Sequence, residues 1–385
     1  MSMTGVVMPI EAAVIRDYGD LQELQLGWMK LAKNAALNNF FATWEFISSW
    51  WESYGEHTEL FVITCRLKGE LVGIAPLYRK ITPGYAGKHC RTLYLIGDGS
   101  DDVDGCQFLI SPTSTPECLE VVLRFLSEHS EDWDLLDLNA MAEDHARTLE
   151  AQIEARGWIV RRQQIPHLVV SLPGTWESYL KKLSVNQRTN ILRRLRKAEE
   201  SFHLQLRYCD RPDEIDSLLD VLFGLHEARW RDLGKLRVQA RQKFYRTLCA
   251  RSLTTGSLDL SILQDGDKPL AALLGFRSGD TRYQVLHGRD PELDAHSIGI
   301  VIHAMVLRQC MHDRLASFDF LSGADTYKLR LGSAGKQYSN LRVARPNTTA
   351  GVSLSSENAT HSAKRWIKTR MPACYRLLKA TVGKR

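Results

Sequence analysis

Hydrophobic positions along this chain follow two spacings, and the order of those spacings occurs twice. Residues 20–34 and 43–54 (TWEFISSWWESY) place apolar side chains three and four apart, which predicts amphipathic helices. Residues 59–80, ELFVITCRLKGELVGIAPLYRK, are two apolar, β-branched runs around a short KGE turn, the pattern of a hairpin. RTLYLIG (91–97) predicts a third strand. A helix follows over 116–129, a strand over 133–139 (WDLLDLN), a helix over 145–156 and a strand over 157–162. The same order then returns. Residues 258–288 predict three strands joined by QDGDKP and SGDT, with a helix over 298–313 and a strand at SFDFLSG (317–323). The two strand cores even share a central aspartate, Asp137 and Asp319.

A meander, a helix and a further strand in each half predict a duplicated α/β unit. The expected division is 1–165 for the first unit and 166–346 for the second, which carries inserted helices over 175–202, 212–233 and 238–254. From 347 the composition turns polar (NTTAGVSLSSENATHS), which predicts a weakly structured linker. The last 23 residues then hold eight Lys or Arg, no acid, and interleaved Trp366, Ile367, Tyr375, Leu377 and Leu378. Residues 347–385 thus read as linker and basic tail, able to hold the protein on an anionic membrane surface.

Composition narrows the class. The chain has 385 residues, 44% of them hydrophobic and 25% charged, which suits a folded globular protein of two units. Its net charge of +5 is small against 50 basic and 45 acidic residues, so any basic surface is local. The eight cysteines are scattered with no CxxC pair, which predicts no zinc site, no metal and no disulfide framework. No signal peptide and no run of about 18 apolar residues is visible. The expected location is the cytosol, with the tail able to reach the inner face of the membrane. GxSxG, HExxH and Walker motifs are absent.

The most charged stretch is SVNQRTNILRRLRKAEE, residues 184–200. Ser184 and Gln187 form a capping-box pattern, so a helix should start there. Ile191, Leu195, Ala198 and Phe202 share one face of it. Arg193, Arg194, Arg196 and Lys197 lie on the other, a solvated face. Arg188 lies near the apolar face, where a guanidinium needs an acidic partner or an anionic ligand. Both readings of Arg188 stay open. A nucleic-acid arm is disfavoured, since no aromatic residues interleave the charges.

A meander, a loop, a helix and a parallel strand is the core order of the GNAT acyltransferases, which this chain resembles. Over roughly 20–345 it resembles more narrowly the CelD/FemAB-like branch, which carries two GNAT units in tandem. The resemblance rests on VGIAPLYRK (72–80), SVNQRTNILRRLRK, LHGRD (286–290), HSIG (296–299) and DFLSGADTYKLRLG (319–332). It implies an α/β fold of two GNAT-like units, with mixed sheets flanked by helices. It also implies an acyl thioester in the gap between the last meander strand and the next, and pyrophosphate at the following helix N-terminus. The family's usual Q/R-x-x-G-x-G/A loop is replaced here by RDPELDAHSIG, whose usable glycine is Gly299.

On that frame, Ser297 is an N-cap candidate and Gly299 permits close backbone approach, so both are placed at the donor phosphate together with Arg289. Asp319 at the strand splay is a candidate base for the attacking amine, or a fold residue like Asp137. Lys328 is a candidate for stabilising an oxyanion, or an exposed lysine; Tyr327 beside it is a candidate substrate contact, as is Arg188. His287, ending the meander, is a candidate base or orienter, or a core histidine. The expected function is N-acyl transfer from acyl-CoA, as co-substrate rather than a permanently bound cofactor. The acceptor would be an amine on an envelope sugar, exopolysaccharide precursor or peptide. The alternatives are Fem-type transfer from aminoacyl-tRNA and a catalytically degenerate accessory subunit of polysaccharide synthesis.

Overall fold

The computed structural model describes residues 9–35, 39–84, 89–98, 105–230, 239–323, 326–332 and 334–370. In the first half, β1 (Glu11–Ile15), α1 (Tyr18–Glu23), α2 (Gln25–Asn34) and α3 (Trp44–Tyr54) precede the meander β2 (Glu59–Leu67), β3 (Glu70–Pro83) and β4 (His89–Leu95). The short β5 (Leu109–Ile110), α4 (Thr115–Glu128), β6 (Leu135–Ala142), α5 (Glu143–Ala155) and β7 (Ile159–Ser171) complete it. The second half runs α6 (Trp176–Lys182), α7 (Val185–Ser201), β8 (Leu204–Tyr208), α8 (Ile215–Trp230) and α9 (Gln239–Thr254). It continues through β9 (Leu258–Asp265), β10 (Lys268–Ser278), β11 (Thr281–Arg289), α10 (Ile298–His312), β12 (Ser317–Ser322), α11 (Thr326–Arg330), β13 (Ala334–Ala344) and α12 (Thr349–Arg370).

All these strands join one mixed sheet in the order β1-β2-β3-β4-β6-β13-β7-β12-β11-β10-β9-β8, with β5 beside β3. The order is a palindrome of the two halves. Each half pairs its last meander strand in parallel with the next strand, and the register matches: Tyr94 faces Asp137 and Tyr283 faces Asp319. The central pair is exchanged. β13 of the second half pairs with β6 of the first, while β7 of the first pairs with β12 of the second. β7 and β13 run against each other from Ala334↔Val169 to Ala344↔Ile159. The division expected at 165/166 falls inside β7.

Burial follows the sequence pattern. β2 and β10 are continuous apolar runs buried on both faces, as central strands should be. α10 is hydrophobic around its circumference, and it is a core helix packed in the second half. The halves share a core, where Phe40 stacks on Phe276 with ring centroids 4.3 Å apart. Arg251 of α9 also binds the Glu52 carboxylate of α3 at 2.8 and 2.9 Å.

Residues 349–370 are a helix, not the weakly structured linker expected from their polarity. Thr348 caps it, its hydroxyl accepting the Gly351 N–H at 3.0 Å. Leu354 is buried with Leu135 and Ala344. Glu357 accepts from Arg161 and Arg342, at 2.7 Å each, and the Asn358 amide donates to the Val160 carbonyl. Docking on β7 and β13 thus stabilises a segment whose own composition is neutral. Trp366 is exposed, and the tail from 371 lies outside the described residues. No helix among the described residues is long and apolar enough to cross a membrane.

Candidate functional site

β11 and β12 pair only from Thr281↔Ser317 to Tyr283↔Asp319, then diverge. A bulge helps to open the gap: Leu274 pairs with Leu286 and Gly275 with Gln284, leaving Val285 over. Gln284 fills the bulge, donating to the carbonyls of Leu274 (3.1 Å) and Leu286 (2.7 Å). Beneath the splay lies a buried charge network that sequence reading missed. Asp259 accepts from Arg282 Nε and Arg277 Nε, at 2.8 Å each, and Arg277 also binds Asp313 at 2.7 Å. Arg282 donates to Gln284 at 2.6 Å and lies 4.8 Å from the centroid of the Phe318 ring.

Above the splay is a cavity of about 320 Å³. It is lined by His287, Arg289, Ser297, Gly299 and Tyr327, five of the residues singled out from sequence, and by Arg229, Asp294, His303 and Arg330, which were not. Its floor is the start of α10, where the first amides, those of Ile298 and Gly299, precede the helical ladder. Gly299 matters through proximity: a Cβ there would sit 2.9 Å from Cδ of Arg289. The arginine therefore lies across the helix end and ion-pairs with Asp294. Burial and the neighbouring Arg229 push the Arg289 pKa down. Gly288 plays a similar part in LHGRD. A Cβ there would meet the backbone of α8, 2.5 Å from the His226 nitrogen, and His226 Nδ1 donates to the His287 carbonyl at 2.8 Å.

Several expected roles change on this geometry. Ser297 occupies the N-cap position of α10 but in a left-handed conformation (φ 55°), and its side chain makes no capping bond. Its carbonyl accepts the Ile300 N–H at 2.8 Å instead. Asp319 is 2% exposed and does not line the cavity; its Oδ1 accepts the Leu321 N–H at 2.8 Å and so holds Leu321 at a positive φ of 61°. Lys328 is buried rather than exposed. Its ammonium donates to the carbonyls of Phe320 (3.0 Å), Ser322 and Gly323 (3.4 Å), tying α11 to the end of β12.

The capping box opening α7 is present as read, with Ser184 N donating to Gln187 Oε1 at 3.0 Å and Gln187 N to Ser184 Oγ at 3.3 Å. Arg188 is half-buried, but it does not line the cavity and has no ion pair among the described residues. Two residues assigned to the solvated face come closer. Lys197 donates to the Ala295 carbonyl in the loop before α10 at 3.1 Å. Arg194 is half-buried, and burial and nearby Arg330 lower its pKa. Helical spacing alone gives direction about one axis. It does not say which loop covers the polar side.

Residues 185–329, spanning α7 through the cavity, match the family model described as Acetyltransferase (GNAT) domain. Over these residues the sequence resembles a GNAT acetyltransferase domain. Over most of its length the chain shares its fold with solved structures. FemX superposes with a TM-score of 0.60 at 10% identity, covering 86% of this chain and 96% of that one. A conserved protein of unknown function from Bacteroides thetaiotaomicron gives 0.53 at 15% identity, covering 87% and 100%. L-PGS from Bacillus licheniformis gives 0.50 at 10% identity, covering 80% and 93%. No curated protein matches the chain. The cavity's arginines and the amides at the α10 N-terminus can take an anionic group.

Buried histidines make stability depend on acid. Burial lowers His303 to about 4 and His167 to about 3, and it also lowers His145 and His287. An imidazole that is neutral when folded but protonates near 6.5 when unfolded stabilises fully above 6.5. That contribution is lost as pH falls from about 6.5 toward the folded values. Burial raises Asp98 to about 8 and also raises Asp137, which acts in the opposite direction. Four imidazoles outweigh two carboxyls, so denaturation midpoints should fall between pH 7 and pH 5, by about 1.4 kcal/mol per pH unit for each net proton. A midpoint that holds level across that range would contradict the assignment of these histidines as neutral.

Proposed function

We propose that this protein is an N-acyltransferase that uses an acyl-CoA donor, with the pyrophosphate at the N-terminus of α10. The observation that carries this reading is the cavity itself. It combines unladdered helix amides, Arg229, Arg289 and Arg330 at the place where β11 and β12 part. The thioester would lie in the splay, its carbonyl polarised by N–H groups there. A neutral amine attacks the carbonyl carbon, the C–S bond breaks, coenzyme A leaves as thiol or thiolate, and the amine nitrogen loses its proton. Holding the two reactants in line supplies much of the acceleration. An envelope sugar, polysaccharide precursor or peptide amine is the acceptor class proposed.

A second reading is an aminoacyl-tRNA donor. It is favoured by the basic rim, where Arg194 and Lys197 of α7 continue the cationic surface from Arg330. Thermal unfolding with saturating acetyl-CoA, longer acyl-CoAs and bulk tRNA separates the two. A ligand bound only by the folded state raises the midpoint by mass action. A shift with acyl-CoA supports the first reading and a shift with tRNA alone the second. No shift with either leaves the degenerate, accessory role.

A further inference from the structure

His303 lies one turn beyond Gly299 on α10, and its ring forms part of the cavity wall. The rings of His287, Tyr327 and Phe320 surround it, with centroids 5.8, 5.3 and 5.5 Å away. Its Nδ1 is 2.6 Å from the Gly299 carbonyl. A carbonyl oxygen only accepts, so Nδ1 carries the proton and Nε2 of the neutral ring is a bare lone pair. That nitrogen is buried and has no hydrogen-bond partner among the described residues, in a side chain only 2% exposed. Burial first, and then the nearby Arg282, Lys328 and Arg229, disfavour protonation of the ring.

The rest of the cavity wall is rich in donors: three guanidiniums and the first helix amides. Asp294, an acceptor, is already held by Arg289. An orphaned buried acceptor is unfavourable until a ligand supplies an N–H or O–H. With a rise of 1.5 Å per residue, His303 lies about 6 Å along the helix from Gly299. A carrier whose phosphate sits on the helix amides reaches Nε2 if its arm runs about one turn along α10.

We propose that His303 is a donor-specificity residue whose Nε2 accepts an amide N–H from the arm of a phosphorylated carrier. The cavity then selects carriers whose arm contains secondary amides, as the pantetheine arm of coenzyme A does. This rests on the acyl-CoA reading above.

Calorimetric titration of the full chain with coenzyme A and with adenosine 3′,5′-bisphosphate, which lacks the arm, tests it. Wild type should bind both. His303→Phe keeps ring volume but removes the acceptor; it should weaken coenzyme A about tenfold while changing the bisphosphate by less than about twofold. His303→Gln, which retains an acceptor oxygen, should recover most of the loss. In wild type the ¹⁵N resonance of His303 Nε2 should move with coenzyme A and stay with the bisphosphate, a readout that needs no variant to fold. Equal coenzyme A affinity in His303→Phe, or an Nε2 resonance unmoved by bound coenzyme A, overturns the assignment while leaving the donor reading intact. Equal weakening of both ligands shows a structural role and also overturns it. A wild-type protein that binds neither overturns the donor reading and this assignment together.

Discussion

Gly299→Glu abolishes the acyl-CoA-dependent rise in melting temperature and lowers donor affinity by at least about 100-fold. Two effects act together. The new Cβ would sit 2.9 Å from Arg289 Cδ, so the guanidinium must leave the helix end. The new carboxylate would also occupy the anion's place at the N-terminus of α10, where it competes for the same amides. A carboxylate in the first turn of a helix is itself favourable, so the unliganded protein should keep most of its stability. Titration calorimetry and unliganded melting curves together check the result. Donor binding that survives the substitution would move the phosphate site away from α10.

Asp259→Ala is expected to have the largest effect on stability. It leaves Arg282, which is fully buried, without its carboxylate and held by Gln284 Oε1 and the backbone carbonyl of residue 259. Breaking one partner out of a buried pair costs about 3–5 kcal/mol, because the other charge stays in the interior without compensation. Asp216→Ala removes an ion pair to Arg246 at a site where the carboxylate is 74% exposed, and should cost less than about 1 kcal/mol. Denaturant titration of both variants measures the contrast. Similar losses would mean that water reaches Arg282 in solution.

Most helices and the two meanders were legible because their apolar spacing is strong. The duplication was legible because order and spacing repeat, down to Asp137 and Asp319. β13 was not. Its sequence, AGKQYSNLRVA, is polar at its start, and its partners lie far away in the chain, so it pairs because β6 and β7 are left with open edges. α12 escaped for a similar reason, since its support comes from Arg161, Arg342 and Val160.

The site was half legible. His287, Arg289, Ser297, Gly299 and Tyr327 came from local motifs, and the fold brings them around one cavity. Arg229, His303 and Arg330 sit on elements with ordinary helical patterns, and only the tertiary arrangement turns them inward. Asp319 and Lys328 each allow two roles in the sequence, and the structure shows bonds that fit a fold role. Charged residues inside an apolar motif invite a chemical role, and here Asp319 accepts the Leu321 N–H while Lys328 donates to the Phe320 carbonyl at an irregular strand end.

The exchanged central strands bear on how such a chain can evolve. Once β7 and β13 had traded places, neither copy of the duplicated unit could be discarded, since deleting either removes a strand from the middle of the other's sheet. Selection on one copy's chemistry therefore preserves the other as scaffold, whatever happens to the side chains in its own splay. The second copy can then diverge in chemistry while the first is kept for the strands it lends to the shared sheet. In such an arrangement, the persistence of a unit through descent is evidence of its architectural use and says nothing of whether it still binds.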